Sequence, residues 1–150
     1  MDYDACREFQ RELVYRLKRE LTFYRSLYVL IQRQRDAALR GSEADLAQSY
    51  GELETIMAGL RESQFAIAAL KDKEPDLFVK ASRMEPVPEL VSQAHEILEA
   101  SKTALEEGHQ AARQHYRKLQ AELGRLGRED EALRAYQASS GPGQLLDGTR

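Results

Sequence analysis

Apolar residues step along this chain by threes and fours, the spacing of an amphipathic helix rather than the alternation of a strand. Phe9, Leu13 and Leu17 lie four apart, and Leu21, Tyr24, Tyr28 and Ile31 continue the line. Neither Gly nor Pro interrupts the run from Met1 to Arg40, so the pattern predicts one helix over about 4–40. Gly41 can take the left-handed conformation that ends a helix. Ser42 with Asp45 three residues on resembles a capping box, with Asp in place of the preferred Glu. A second helix over about 43–73 follows so closely that the two must fold back on each other. In it Leu46, Leu53, Leu60 and Ile67 recur every seven residues, with Tyr50, Met57 and Gln64 between them, a packing seam of the coiled-coil type. Gly51 and Gly59 each cost about 1 kcal/mol against Ala in a helix interior, and either permit close approach of another helix or are simply tolerated.

Pro75 restricts the residue before it and closes the second helix. Residues 74–87 form a connector in which Asp76–Met84 is expected to be a short helix carrying Leu77, Phe78 and Val79. Pro88 suits the first turn of a third helix, where its missing N–H matters least. From there Val91, Leu98, Leu105, Ala112, Leu119, Leu126 and Leu133 hold one heptad position. A helix over about 88–137 would be roughly 75 Å long at 1.5 Å per residue, unless Gly124 or Gly127 breaks it. Ala94, Ser101 and Gly108 form a companion stripe of small residues. Leu90, Ile97, Ala104 and Ala111 widen that face, and Tyr116 and Leu123 take over later. The predicted fold is all-α: an antiparallel helical hairpin plus a long third helix, forming an elongated three-helix bundle or coiled coil. Residues 1–137 make a single helical domain, and 138–150, with Gly141, Pro142 and Gly143, a flexible tail.

Composition sharpens the fold class. Ala, Leu, Glu, Arg and Lys make up just over half of the 150 residues, the profile of long helices and coiled coils, and it makes a β-sandwich or parallel α/β sheet improbable. With 42% hydrophobic residues the chain is too apolar for a disordered tail. Net charge is −3, which argues against nucleic acid as the main partner. The charge is unevenly spread: residues 1–40 are net +3, 41–74 net −4 and 88–137 net −2, which suits consecutive helices lying side by side. Arg7, Arg11, Lys18 and Arg25 would make a phosphate-binding face only if Glu8, Glu12 and Glu20 were not interspersed with them.

The acidic, charge-rich N-terminus reads as neither a signal nor a transit peptide, no uncharged run approaches the ~20 residues of a membrane helix, and the expected location is the cytoplasm. Cys6 is the only cysteine and reads as a small packed thiol. His95, His109 and His115 offer little chemistry. Glu106-x-x-His109 matches one unit of a di-iron bundle, but such bundles need two units and two further inward Glu. His115 falls in the inner stripe and is expected partly buried; His95 pairs with Glu99 on the surface. No phosphate loop, nucleophile elbow or zinc spacing occurs, so no cofactor, no metal and no enzymatic activity are expected. Six of the eleven aromatics lie in the first 28 residues, and Val14, Phe23 and Leu30 stand off the main line of the first helix. Either they widen a bundle core or they form a second apolar face.

Residues 27–67 carry a further pattern: Leu27-x-x-Leu30-x-x-x-Gln34-x-Asp36-Ala-Ala-Leu39-x-Gly41, then Asp45-Leu46, Glu52, Leu53, Leu60-Arg61 and Ile67. This resembles the FlgN-type flagellar export chaperones, small acidic all-helical proteins with a hairpin, a long third helix and a mobile C-terminus. The related chaperones of the filament-cap protein share the general shape. The resemblance implies a cytoplasmic protein that binds helical C-terminal segments of hook–filament junction proteins and delivers them to the type III export apparatus. The face expected to bind is the far half of the third helix, Leu119, Leu123, Leu126, Leu133 and Tyr136, with Leu145 and Leu146 in the tail. The alternative is a self-associating coiled-coil adaptor in which the same residues pair with a second copy.

Overall fold

The computed structural model describes residues 2–140, with side chains from 3 to 138. The fold is all-α. Four helices follow in order, α1 (Asp2–Arg40), α2 (Glu43–Lys73), α3 (Pro75–Ser82) and α4 (Val87–Ser140), with no strand among the described residues. The chain divides into two units, Met1–Ala112 and Arg113–Arg150. Gly124 and Gly127 leave α4 unbroken, and Ala138–Ser140, expected in the tail, still belong to it.

Local chemistry sets the boundaries. Gly41 has φ 69°; its N–H donates to Ala38 O (3.2 Å) and that of Ser42 to Ala37 O (2.9 Å), a Schellman closure that satisfies the last carbonyls of α1. The Ser42 side chain then accepts from Asp45 N at 3.4 Å and caps α2. The Ser42 hydroxyl, and then the Arg40 guanidinium 3.2 Å away, hold the Asp45 carboxyl below its usual range. Pro75 opens α3 at its first position, and the turn between α3 and α4 includes a cis Glu85–Pro86 bond.

In the first unit the N-terminal part of α1 meets the end of α2, α3 and the start of α4. Phe9, Leu13, Ala81 and Val87 are buried there, with Ile67, Leu70, Leu77 and Phe78 packed round them; Phe78 stands edge-on to Phe9 at 6.5 Å. The half-buried Cys6 has its Sγ 3.6 Å from Met84 Sδ. Farther along α1, Leu21, Tyr24, Leu30 and Ile31 are buried. Gln64 donates to the Tyr24 hydroxyl (3.2 Å), which donates to Glu20 (2.5 Å). Burial, and then that bond to Glu20, push the Tyr24 phenol up to about 12.

The off-line residues of α1 turn out to widen the core. Leu30 is 2% exposed, Val14 packs against the Phe9 cluster, and the Phe23 ring fills the space over Gly59, where a Cβ would collide with it. Gly59 therefore admits a ring from α1, whereas Gly51 faces open space. On α2 the second line of the seam is displaced from the expected one. Ser49 and Ser63 are buried with Leu60, and Ile56 and Leu70 are half-buried, while Tyr50 and Met57 are exposed and Gln64, though exposed, reaches back to Tyr24. The helices meet on the side where small hydroxyls let their backbones approach.

The same displacement occurs on α4. Its inner stripe within the first unit is Val87, Leu90, Ser101, Ala104 and Ala111, all buried, with Ala94, Ile97 and Gly108 half-buried. Of the heptad of larger residues, Val91 and Leu105 are exposed and Leu98 is half-buried. Gly108 explains the choice: a Cβ there would stand 3.4 Å from the Arg35 Cα, so α4 lies close against the α1 backbone. The ion pair from Arg35 to Glu107 (3.0 Å) spans that contact.

Candidate functional site

The expected binding residues belong to the second unit, where α4 continues from Arg113 to Ser140. Its described side chains are exposed except for the half-buried Gln137. Leu119 is 46% exposed, Leu123 60%, Leu126 47%, Leu133 55% and Tyr136 72%. Leu145 and Leu146 lie outside the described residues. His115, expected to be partly buried, is exposed as well, because the small-residue line that α1 covers ends at Ala111. His95 and His109 are also exposed.

Tyr116, Leu119, Leu123, Leu126 and Leu133 fall at steps of three, four, three and seven, so they share one face of the helix. Charged residues flank it. Arg125 pairs with Glu122 and with Glu129 (2.6 Å), and Arg134 with Asp130 (3.0 Å). Glu122, most of all, holds the Arg125 guanidinium above its ordinary range. Exposed pairs of this spacing support a helix by only about 0.3–0.5 kcal/mol each, whereas most helical stability in proteins comes from packing an amphipathic face. The second unit thus has the intrinsic signals of a helix and an exposed apolar ridge.

A feature of the first unit was not anticipated. A groove of ≈ 280 Å³ opens between α1, α2 and α4, lined chiefly by Ile31, Ala38, Leu46, Leu53, Ala104 and Leu105, with His109 among its polar residues. It exists because Ala104, Gly108 and Ala112 are too small to fill the space opposite Leu46 and Leu53. The signal was present in the sequence as a run of small residues four apart, but nothing in the sequence said which helices it would face.

The arrangement suits binding through apolar contact. Among the described residues no three His, Cys, Asp or Glu side chains converge as a metal site would require, and no described helix is long and apolar enough to cross a membrane. No family model, curated protein or solved structure matches the chain.

Proposed function

We propose that this chain is a helix-binding chaperone of the flagellar export type, which takes a helical C-terminal segment of a hook–filament junction protein onto the Leu119–Leu133 face of α4 and passes it to the export apparatus. The observation that carries the reading is the ridge of four leucines, each 46–60% exposed, on a helix with few stabilising contacts of its own. The hairpin residues 27–67 add the family resemblance. The mode is helix in groove: a client lays apolar residues along the ridge, and each leucine fully buried on binding contributes about 1.5–3 kcal/mol. The finer architecture proposed with it is an elongated three-helix arrangement in which the hairpin serves as scaffold and α4 as the recognition element. The cytoplasm is the compartment such a role requires.

Self-association is the competing reading, and the seam itself weighs against its simplest form. With Leu119, Leu126 and Leu133 at d positions, the a positions are Tyr116, Leu123, Asp130 and Gln137. A parallel in-register pair would bring Asp130 of each copy together in a desolvated seam, and like charges there are unfavourable. A heterologous client can place a basic or polar residue opposite Asp130.

Calorimetric titration with a synthetic junction-protein C-terminal peptide tests this. The full chain is expected to bind with one peptide per chain. The double change Leu123→Glu and Leu126→Glu should weaken binding more than about tenfold while leaving the melting temperature unchanged, since both positions are exposed. Deleting Ala138–Arg150 should weaken it less. Unchanged affinity in both variants would move the site elsewhere. No binding, together with a dimer in light scattering that the double change dissolves, would replace the chaperone by the self-associating adaptor.

A further inference from the structure

The outward face of α1 is a second line with heptad regularity, and its chemistry is different. Arg11, Tyr15, Lys18, Thr22, Arg25 and Val29 follow at steps of four and three, and all are exposed. The other cations in the C-terminal half of α1 are neutralised: Arg33 pairs with Glu52 (2.7 Å), Arg35 with Glu107 (3.0 Å) and Arg40 with Asp45 (3.2 Å). Arg16 pairs with Glu12 (3.0 Å) and Arg19 stacks over the Phe23 ring at 6.0 Å. Among the described residues no ion pair reaches Arg11, Lys18 or Arg25. Of the acids interspersed with them, Glu12 is held by Arg16 and Glu20 accepts from Tyr24; Glu8 lies at the far end of the stripe. The stripe leads into an open groove of ≈ 360 Å³ between α1 and α2, where Arg25 and the paired Arg33 stand with Val29, Leu30 and Ile56.

We propose that this face docks an acidic amphipathic helix of a partner protein, its carboxylates repeating every seven residues opposite Arg11, Lys18 and Arg25 and one aliphatic side chain seated on Val29, Leu30 and Ile56. The spacing chooses a helix. Cations seven residues apart recur every ~10.5 Å along one line, the repeat at which a partner helix presents its own side chains, and Tyr15, Thr22 and Val29 supply the interleaved packing positions of such a seam. A phosphate backbone has no use for an aliphatic groove between its charges. Complementary charge sets register and association rate more than affinity, so the apolar seat at the end of the stripe supplies the anchor. This face belongs to the hairpin and does not depend on the reading of α4.

The test uses the full chain and three fluorescent probes: a designed helical peptide with Glu every seven residues and Leu at the interleaved positions, a peptide of the same composition in scrambled order, and a single-stranded RNA. Anisotropy is expected to show the patterned peptide binding at least about tenfold more tightly than the scrambled one at low salt, with the preference shrinking as salt screens the exposed charges. The triple change Arg11→Glu, Lys18→Glu and Arg25→Glu should abolish that preference, and a peptide with Lys in place of Glu should then bind the triple variant, which also proves the variant folded. Val29→Glu alone should weaken binding of the patterned peptide. Equal binding of patterned and scrambled peptides, tighter binding of the RNA, or binding of neither peptide would overturn the proposal.

Discussion

Two buried serines on α2 show how differently one residue type behaves at two points of the same seam. Ser49 donates to the Leu46 carbonyl (2.6 Å) and accepts from the Gln34 side chain (3.0 Å), so its hydroxyl is satisfied and links α2 to α1. Ser63 is 3% exposed and its hydroxyl has no partner. A hydroxyl taken out of water without a bond costs free energy, whereas a satisfied one contributes about 1 kcal/mol net. Ser is also a poorer helix former than Ala. Ser63→Ala is therefore expected to stabilise the chain by about 0.5–1 kcal/mol, and Ser49→Ala to destabilise it by about 1 kcal/mol, because it leaves the Gln34 amide unpaired. Urea unfolding of both variants measures this, and a loss of stability in Ser63→Ala would show that the hydroxyl has a partner after all. What both serines share is size: at either position a leucine would hold the helices apart. Gly59 under the Phe23 ring is the extreme case, since even a methyl group would displace the ring.

At the scale of the element, the sequence announced where helices begin and end because single residues decide it: Gly41 and Ser42 at the hairpin turn, Pro75 at the start of α3, and Pro88 in the first turn of α4. The face each helix turns inward was harder to read. Hydrophobic periodicity is loudest where the side chains are large, and on α4 that is the line through Val91, Leu105 and Leu119. The line that packs against α1 is the quieter one of Ser101, Ala104, Gly108 and Ala111. Both lines have the same period; the tie is broken by how closely two backbones can approach, a property of the pair of helices and not of either sequence alone. The same tie misled the reading of α2, where Tyr50 and Met57 look like seam residues and point outward. The leucine line of α4 was legible in the sequence, whereas its exposure was not, since an exposed leucine line leaves the same periodic trace as a buried one. The groove beside Leu46 and Leu53 and the unpaired cations of α1 were not, because each depends on what a second helix does. This gives a sharp contrast on α4. Gly108→Leu forces α4 off the Arg35 backbone and should cost about 1–3 kcal/mol, the usual range for overpacking. Leu105→Ala, on the louder line but exposed, should cost under about 1 kcal/mol. Thermal unfolding of the pair decides it, and the opposite order would mean that the leucine line is the packed one.

For the whole molecule, the distribution of buried residues separates a packed unit from an exposed one. Among the described residues every buried side chain lies between Phe9 and Ala111, and the division into two units falls one residue later, at Ala112. A chain ending at Ala112 would lose no buried side chain of the first unit, so its melting temperature is expected to match that of the full chain. Among the described residues the second unit contributes no buried side chain, and a lone helix of this length is marginal in water. Amide exchange should therefore be slow across the buried stretches of α1, α2 and the first part of α4, and fast beyond Arg113, as expected where local opening needs no core to be broken. On the proposed function, a client docking on the leucine face would change that selectively. Binding couples to helix formation, so protection should rise at residues 116–136 and nowhere in the hairpin, while the affinity is lowered by whatever ordering the helix still requires. Strong protection of 116–136 in the free chain that falls on dilution would identify a second copy as the natural cover. Protection that is absent when free and appears only with the peptide would mean that α4 is left unsupported so that a partner can complete it.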